Sequence, residues 1–328
     1  MPRIGMNPGR GKKSEYQPAR VTIAVLTFVP NEVGYFKDRF DVMRVCIQSI
    51  IKNTQKPYDL MVFDNGSSAK VVEYLQGQHA LGNIDFLILS KKNIGKISAL
   101  QYMFNAAPGE VIAYCDDDVF YLPGWLDRHL EVLDTYPNVG IVTGFYIKNH
   151  MKEGVKSTLD FAKRSDVQME IGNLVDREIE QHYISNIGRT WEQYQREVDG
   201  LQDVRMEYKG VRTYASAGHY QFVTPKERIL SALPDERKNN LMGQMRELDV
   251  AVDDLGLLRL CTTPATVRLL GNQINQEGAQ FIRKFDIEIE PVKGSEKSKG
   301  FLKKIYQLPI VKKVAYFFYQ RLFKIINT

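Results

Sequence analysis

Val111-Ile112-Ala113-Tyr114-Cys115-Asp116-Asp117-Asp118 is the stretch that decides how this chain folds. Five apolar residues read as a buried strand, and three carboxylates emerge together at its carboxyl end. In open α/β sheets, ligands bind in the crevice outside those strand ends. Three adjacent negative charges repel one another unless something positive neutralises them. A hard divalent cation that also bridges phosphate oxygens would do so. A solvated acidic loop, or an N-cap for a helix beginning near Pro123, accounts for the same residues without a ligand.

Outward from the triplet, apolar strands and amphipathic helices alternate. VTIAVLTF (21–28) reads as a first buried strand, and Phe40, Met43, Val45, Cys46, Ile50 and Ile51 trace one helical stripe. LMVFDNGSS (60–68) is a strand entering an Asn-Gly-Ser turn, followed by a helix around 71–76 and the strand FLILS (86–90). A helix over 97–106 is broken by Pro108-Gly109 before the aspartate strand. A helix over 124–135 and the strand VGIVTGFY (139–146) continue the rhythm. This spacing predicts an α/β fold with a parallel sheet covered by helices on both faces. Residues 147–214, polar and with weak helical periodicity over 176–198, read as an insertion lying over the sheet, in a substrate cleft. The pattern resumes with GHYQFVTP (218–225), helices near 226–232 and 252–261, and a strand TPATVRLL (263–270).

With 328 residues, 44% of them apolar and 25% charged, the chain has an ordinary globular composition. Cys46, Cys115 and Cys261 lie far apart in apolar segments, which fits buried thiols in a reducing compartment. The five histidines form no metal-ligand spacing. Residues 1–20 are basic and Gly/Pro-rich, predict a mobile segment, and lack the apolar core of a secretory signal. No apolar run reaches the roughly 18 residues of a membrane-spanning helix. The net charge of +5 is carried by the end of the chain: from Lys293 onward nine Lys/Arg face one acid, so residues 1–292 are net acidic. With no nucleic-acid-binding motif in that acidic body, no nucleic-acid partner is expected.

Three further segments carry chemistry. Asp64-Asn65-Gly66-Ser67-Ser68 ends a strand, where a carboxylate can accept from a base or a ribose, or can simply cap a turn. Lys91-Lys92-Asn93-Ile94-Gly95-Lys96 joins a strand to a helix. Its amides and lysines suit a phosphate, or it is a plain helix start; the spacing is not that of a Walker loop. Glu247, Asp249, Asp253 and Asp254 precede the expected helix Leu255–Cys261. Acids there suit a helix N-terminus, and a carboxylate in a cleft suits a general base. His219 stands alone as a ligand candidate or a structural histidine.

In order, Asp64-Asn65-Gly66-Ser67-Ser68, Asn93-x-Gly95 with Ala99, Asp116-Asp117-Asp118, Pro123-Gly124-Trp125-Leu126, and Asp253-Asp254 with Arg259 resemble family 2 glycosyltransferases of the GT-A fold. The resemblance covers roughly residues 21–272, within a domain read as 21–292, and implies a Rossmann-like, mixed, mostly parallel sheet flanked by helices, with 147–214 on the acceptor side. It implies an inverting transfer from a nucleotide-diphosphate sugar to a hydroxyl of a glycan or lipid-linked acceptor, of the hexosyltransferase type. It places Thr27, Asp64, Asn93, Gly95, Lys96, Asp116, Asp117 and Gly218 on the nucleotide or donor, with Ser216-Ala217-Gly218 leaving room for the sugar. Asp118 and Asp116 would hold Mg²⁺ or Mn²⁺, and Asp253 or Asp254 would be the base. The chain departs from the family in having Gln101 where an Asn is common, and Val252-Asp253 or Asp253-Asp254 where Glu-Asp is common. A sugar-phosphate nucleotidyltransferase is the rival enzyme, although Phe28-Val29-Pro30-Asn31-Glu32 lacks its Gly-rich loop. A non-catalytic, membrane-docked subunit is the third reading.

Residues 293–328 read as a basic tail. From Ile310 on, Ile310, Val311, Val314, Phe318, Leu322 and Ile325 share a broad helical face, opposite Lys312, Lys313 and Lys324. Arg321 falls inside the apolar sector and Phe323 outside it. Such a helix over 301–328 suits an anionic membrane surface, hence a peripheral place on the cytoplasmic face, or packing on the domain or on a second subunit. A homo-oligomer is compatible with the sequence.

Overall fold

Val21–Thr27, β1, is buried at all seven positions because it runs through the middle of a sheet with both faces covered. The structure, a computed structural model, describes residues 5–234 and 245–289. After β1 come α1 (Arg39–Asn53), β2 (Asp59–Asp64), α2 (Ala69–Ala80), β3 (Phe86–Leu89), α3 (Lys96–Ala106) and β4 (Val111–Asp116). Next are β5 (Val119–Tyr121), α4 (Trp125–Thr135), β6 (Val139–Thr143), a 3₁₀ turn (Lys148–Lys152), α5 (Lys156–Ala162) and β7 (Gln168–Gly172). Then follow α6 (Arg177–Asn186), α7 (Trp191–Glu197), β8 (Asp203–Tyr208), β9 (Val211–Ala215), β10 (Gln221–Pro225) and α8 (Lys226–Ala232). The last elements are α9 (Met245–Asp254), β11 (Leu258–Thr262), β12 (Val267–Leu269) and α10 (Gln276–Arg283).

Ten strands form one sheet in the order β3-β2-β1-β4-β10-β6-β11-β9-β8-β7. The half from β3 to β4 is parallel; β10 then enters antiparallel between β4 and β6. Beyond β6 the sheet is mixed, with β11 parallel to β6 and β9, β8 and β7 antiparallel. Side-chain alternation divides the core. Ile23 and Val25 of β1, with Ala113 and Cys115 of β4, pack on Met43, Ile47 and Ile50 of α1. Ala24, Leu26, Ile112 and Tyr114 face the opposite layer of α3, α8 and α9, through Leu100, Phe104, Ile229 and Leu248. β5 and β12 pair as a separate two-stranded ribbon, and Phe281 and Phe285 pack edge-on or tilted against Phe120. All three cysteines are buried and unpaired.

Several expectations are corrected. The expected helix 252–261 is two elements: α9 ends at Asp254, and β11 begins at Leu258. Gly256, at φ 73, turns the chain between them in a conformation few other residues adopt. Asp253 and Asp254 therefore sit in the last turn of a helix, where the macrodipole disfavours acids, not in its first. The insertion does not simply lie over the sheet. β8 and β9 join it as a hairpin through Lys209-Gly210, both at positive φ, and β7 extends it to the edge. Lys148, buried, ties the start of this segment to Asp203 at 3.3 Å and Asn173 at 3.2 Å. The strand expected over 263–270 forms pairs only at Val267–Leu269.

The N-terminal segment is pinned at its end: Tyr16 Oη donates to Asp59 at 3.0 Å, and Arg20 pairs with Asp134 at 2.5 Å. The described residues through Glu288 form one compact unit. The unit beginning at Ile289 leaves the described residues at position 290, so the tail expected over 293–328 and its helix over 301–328 lie outside them.

Candidate active site

Parallel pairing sets the carboxyl ends of three strands side by side. Thr27 pairs in register with Asp64, and Leu26 with Asp116. The triplet leaves β4 there, next to the N-terminus of antiparallel β10, whose Tyr220 carbonyl accepts from the Asp116 amide at 2.9 Å. It is neither a solvated loop nor the cap of α4, because Asp117 is 3 % exposed and β5 intervenes before α4 begins at Trp125.

Each aspartate has a different partner. Asp116 receives the Lys96 ammonium on both oxygens, at 2.7 and 2.8 Å, and the Tyr114 hydroxyl on one. Asp117 accepts from Thr27 Oγ1 at 2.5 Å and from the Arg39 guanidinium. Asp118 accepts from Arg39 Nη1 at 3.0 Å, and the same nitrogen donates to the Gly271 carbonyl. Charge inside the chain therefore answers much of the repulsion in the triplet. Burial opposes the charge on Arg39, but Asp117 and Asp118 outweigh it and hold its pKa above the usual value. Burial also raises the Asp117 carboxyl, with Arg39 and Thr27 pulling the other way. The Asp118 carboxyl is pushed up to about 6 by burial and by Asp116 and Asp117, despite Arg39. Sequence reading missed Arg39, which opens α1 after an unpatterned loop and is brought to the triplet only by the fold.

Those donors bear on a metal. Among the described residues no group of three or more His, Cys, Asp or Glu side chains encloses a cation by itself. A hard divalent ion such as Mg²⁺ takes one or two carboxylates and completes its shell from phosphates and water. Asp116 and Asp118 are hard oxygen donors, and the Asp118 side chain stays 30 % exposed beside Arg39. The residues fit such an ion.

The two flanking loops are locked together. Asp64 is almost fully buried and accepts from the Ser67 amide at 3.1 Å and the Gly66 amide at 3.3 Å; burial raises its pKa, against the Ser67 hydrogen bonds. Asn65 donates to Asn93 Oδ1 at 3.0 Å and accepts from the Ile94 amide at 2.9 Å, while Asn93 also accepts from the Gly95 amide. Gly66 sits at φ 92, and a Cβ there would meet the Lys92 backbone carbon at 2.8 Å. Gly95, at φ 83, is the N-cap of α3. Lys91 and Lys92 are exposed.

On the other side of the triplet, Ser216 and Ala217 are buried, and the Ser216 hydroxyl has no hydrogen-bond partner among the described residues. A Cβ at Gly218 would meet His150 Nδ1 and Tyr220 Cε1, each at 2.6 Å, so these two rings crowd that side of the glycine. His219 Nδ1 lies 2.8 Å from Asp249 Oδ2, and Arg259 Nη2 lies 3.2 Å from Asp249 Oδ1. Burial drives the neighbouring His150 down to about 3, with Asp249 opposing. Asp253 stands apart from this cluster. Its carboxylate accepts from the Ser157 amide at 2.8 Å and the Lys156 amide at 3.1 Å, which caps α5, and Asp254 is exposed. Of the four late acids, Asp249 is the one in the buried polar cluster beside β10, and nothing in the local spacing distinguished it from the others.

Comparison with known proteins gives a consistent set of likenesses. The sequence profile described as "Glycosyl transferase family 2" matches residues 35–199, half of the chain. An uncharacterized glycosyltransferase of Bacillus subtilis, YwdF, is 25% identical over 153 residues, covering 45% of this chain and 52% of that one. The chain thus spans about half the length of the curated relative it matches. Among solved structures, GalNAc-T7 with UDP, GalNAc and Mn²⁺ is similar at 14% identity, covering 79% of this chain and 44% of that one, with a TM-score of 0.48. TarS 1–349 of S. aureus is similar at 11% identity, covering 83% and 67%, with a TM-score of 0.44. The mannosyltransferase PcManGT of Pyrobaculum calidifontis, in complex with GDP-Man and Mn²⁺, is similar at 19% identity, covering 41% and 37%, with a TM-score of 0.34.

Proposed function

The chain belongs to glycosyl transferase family 2, and on that footing we propose that it moves a hexosyl group, with inversion, from a nucleotide-diphosphate sugar to a hydroxyl of a glycan or lipid-linked acceptor. The observation that carries this reading is the convergence of Thr27, Asp64, Asp116, Asp117 and Asp118 at adjacent strand ends, under two cations of the chain, Arg39 and Lys96. A site with both signs of charge at a strand-end crevice suits a diphosphate.

Lys96 and Arg39 hold the triplet in place and can share their charge with diphosphate oxygens. Asp64, through the turn it orders, and the linked Asn65, Asn93 and Gly95 shape the nucleoside pocket. Asp118 and Asp116 would hold Mg²⁺ or Mn²⁺, which when bound neutralises charge on the leaving diphosphate. Gly218 and its neighbours border the sugar, with His150 and Tyr220 setting how much space it has. We read Asp253 as the cap of α5 rather than the base, since both its oxygens accept from amides there, and Asp254 as an exposed residue of the last turn of α9.

The basic segment beyond Lys293 completes the proposal: it would bring the enzyme to the anionic cytoplasmic face of a membrane and to a lipid-linked acceptor. Liposome co-sedimentation of the full chain against a 1–292 truncation tests that part, and equal binding would remove it. The donor is tested by a thermal-shift panel of nucleotide sugars with Mn²⁺, followed by assay of nucleotide release. A donor that stabilises the protein and is turned over supports the reading; no response to any nucleotide diphosphate would end it.

A further inference from the structure

We propose that His219, held by Asp249, is the general base that takes the proton from the acceptor hydroxyl, in place of a late carboxylate. The inference rests on the glycosyl-transfer reading above and names the group that does its proton chemistry. Three observations carry it.

Strand pairing puts His219 beside the donor site. β10 runs antiparallel to β4 with Gln221 opposite Cys115, and the hydrogen bond from the Asp116 amide to the Tyr220 carbonyl extends that pairing by one residue. His219 is the next residue outward, at the level where the triplet leaves its own strand. A base at this position adjoins the diphosphate side without belonging to it.

The Asp249 carboxylate is buried beside its two partners, and its Oδ1 forms no hydrogen bond among the described residues. One oxygen lies 2.8 Å from His219 Nδ1, the other 3.2 Å from Arg259 Nη2, and its side chain is 6 % exposed. His219, whose side chain is 25 % exposed, is the more accessible member of the pair. The Arg259 guanidinium is itself fixed by the carbonyls of Glu153 and Gly154, at 2.8 and 2.6 Å, and by that of Ala217.

The imidazole is oriented and accessible. An ionised carboxylate only accepts, so its contact assigns the proton to Nδ1 and leaves the lone pair on Nε2. No hydrogen bond to Nε2 is formed among the described residues, and the side chain is 25 % exposed. The titratable groups that face it are Asp249 from α9, itself met by Arg259 from β11, and His150 from the segment after β6. His150, with its ring centroid 5.8 Å away, stays neutral through burial and adds no charge beside the imidazolium.

The step balances. Nε2 of His219 takes the hydroxyl proton as the acceptor oxygen forms its bond to the anomeric carbon. The bond from that carbon to the diphosphate oxygen breaks, and its electron pair leaves on the diphosphate. Asp249 stabilises the imidazolium until the proton passes to water. His219 is the catalytic residue here and Asp249 a positioning residue.

The test uses the full chain and its His219→Gln, His219→Ala and Asp249→Asn variants, each checked for folding by circular dichroism. Nucleotide diphosphate affinity is measured by calorimetry, and transfer kinetics are measured from about pH 5 to 9. His219→Gln should lower kcat by ~10²–10⁴-fold with nucleotide affinity within threefold of wild type, and the acid limb of the rate profile should disappear. Asp249→Asn should lower kcat with KM and nucleotide affinity little changed, because the imidazole loses the partner that orients it. Added imidazole should restore transfer to His219→Ala, an outcome that a structural histidine would not give. Retention of wild-type kcat by folded His219→Gln, or an unchanged acid limb in it with transfer abolished only in Asp249→Asn, would overturn the proposal. If wild type binds no nucleotide diphosphate, the glycosyl-transfer reading fails, separately from the role of His219.

Discussion

The Arg39 guanidinium lies 3.0 Å from the Asp118 carboxylate while also gripping Asp117, so one buried cation spans two-thirds of the triplet. That arrangement sets a competition. Anything positive that binds Asp118 must share it with Arg39 or displace it.

Replacing Arg39 with methionine removes the cation and leaves Asp117 as a buried charge facing only neutral donors, Thr27 and the Phe28 backbone, among the described residues. The loss expected is about 3 kcal/mol of folding stability. Mn²⁺ should recover more stability in the variant than it adds to wild type. Urea unfolding with and without Mn²⁺ measures both, and unchanged stability in the variant would show that the ion pair does not form.

Gly66→Ala forces a Cβ against the Lys92 backbone at a φ of 92 that alanine resists. The Asp64 turn and the Asn65–Asn93 link must shift together. The variant should lose about 1–3 kcal/mol, and nucleotide affinity should fall along with it. Affinity equal to wild type would separate this loop from the nucleotide.

Asp253→Asn tests the reassignment of that residue from base to cap. An asparagine keeps one acceptor for the α5 amides, so the cost should be at most about 1 kcal/mol, with transfer retained. Loss of transfer in a folded variant would restore Asp253 to the chemistry.

His129 governs part of the acid response. It is buried between the Trp125 carbonyl and Gln221, and burial holds its pKa down to about 4. A depressed histidine costs stability as pH falls from about 6.5 toward 4, because the unfolded chain takes up the proton first. Asp118, raised to about 6, works in the opposite direction, losing stability as pH rises through that value. Comparing wild type with His129→Gln isolates the histidine. The stability lost between pH 7 and 4 should shrink by an amount of order 2–3 kcal/mol in the variant. Parallel pH curves would assign the acid response elsewhere.

The parallel half of the sheet was legible because its strands carry their own signals: β-branched runs, each ending in a polar turn. The triplet was legible as a site for the same reason, since burial of β4 fixes where its last residues emerge. Leu255–Cys261 was not. A short apolar run has no period that separates helix from buried strand, and Gly256 is a weak marker until its φ is known. The β8–β9 hairpin lay within a polar stretch where Lys209-Gly210 was the single clue. Arg39 and the His219–Asp249 pair join segments 78 and 30 residues apart, and no local pattern announces contacts at that range.

The central claim is that the strand-end carboxylates and their cations form a nucleotide-diphosphate site. Calorimetric titration of the cognate nucleoside diphosphate with Mn²⁺, into wild type and into Asp118→Asn, tests it most directly. The account predicts saturable one-site binding to wild type and at least a tenfold weaker affinity in the variant, about 1.4 kcal/mol or more. Equal affinity in the two proteins would contradict it.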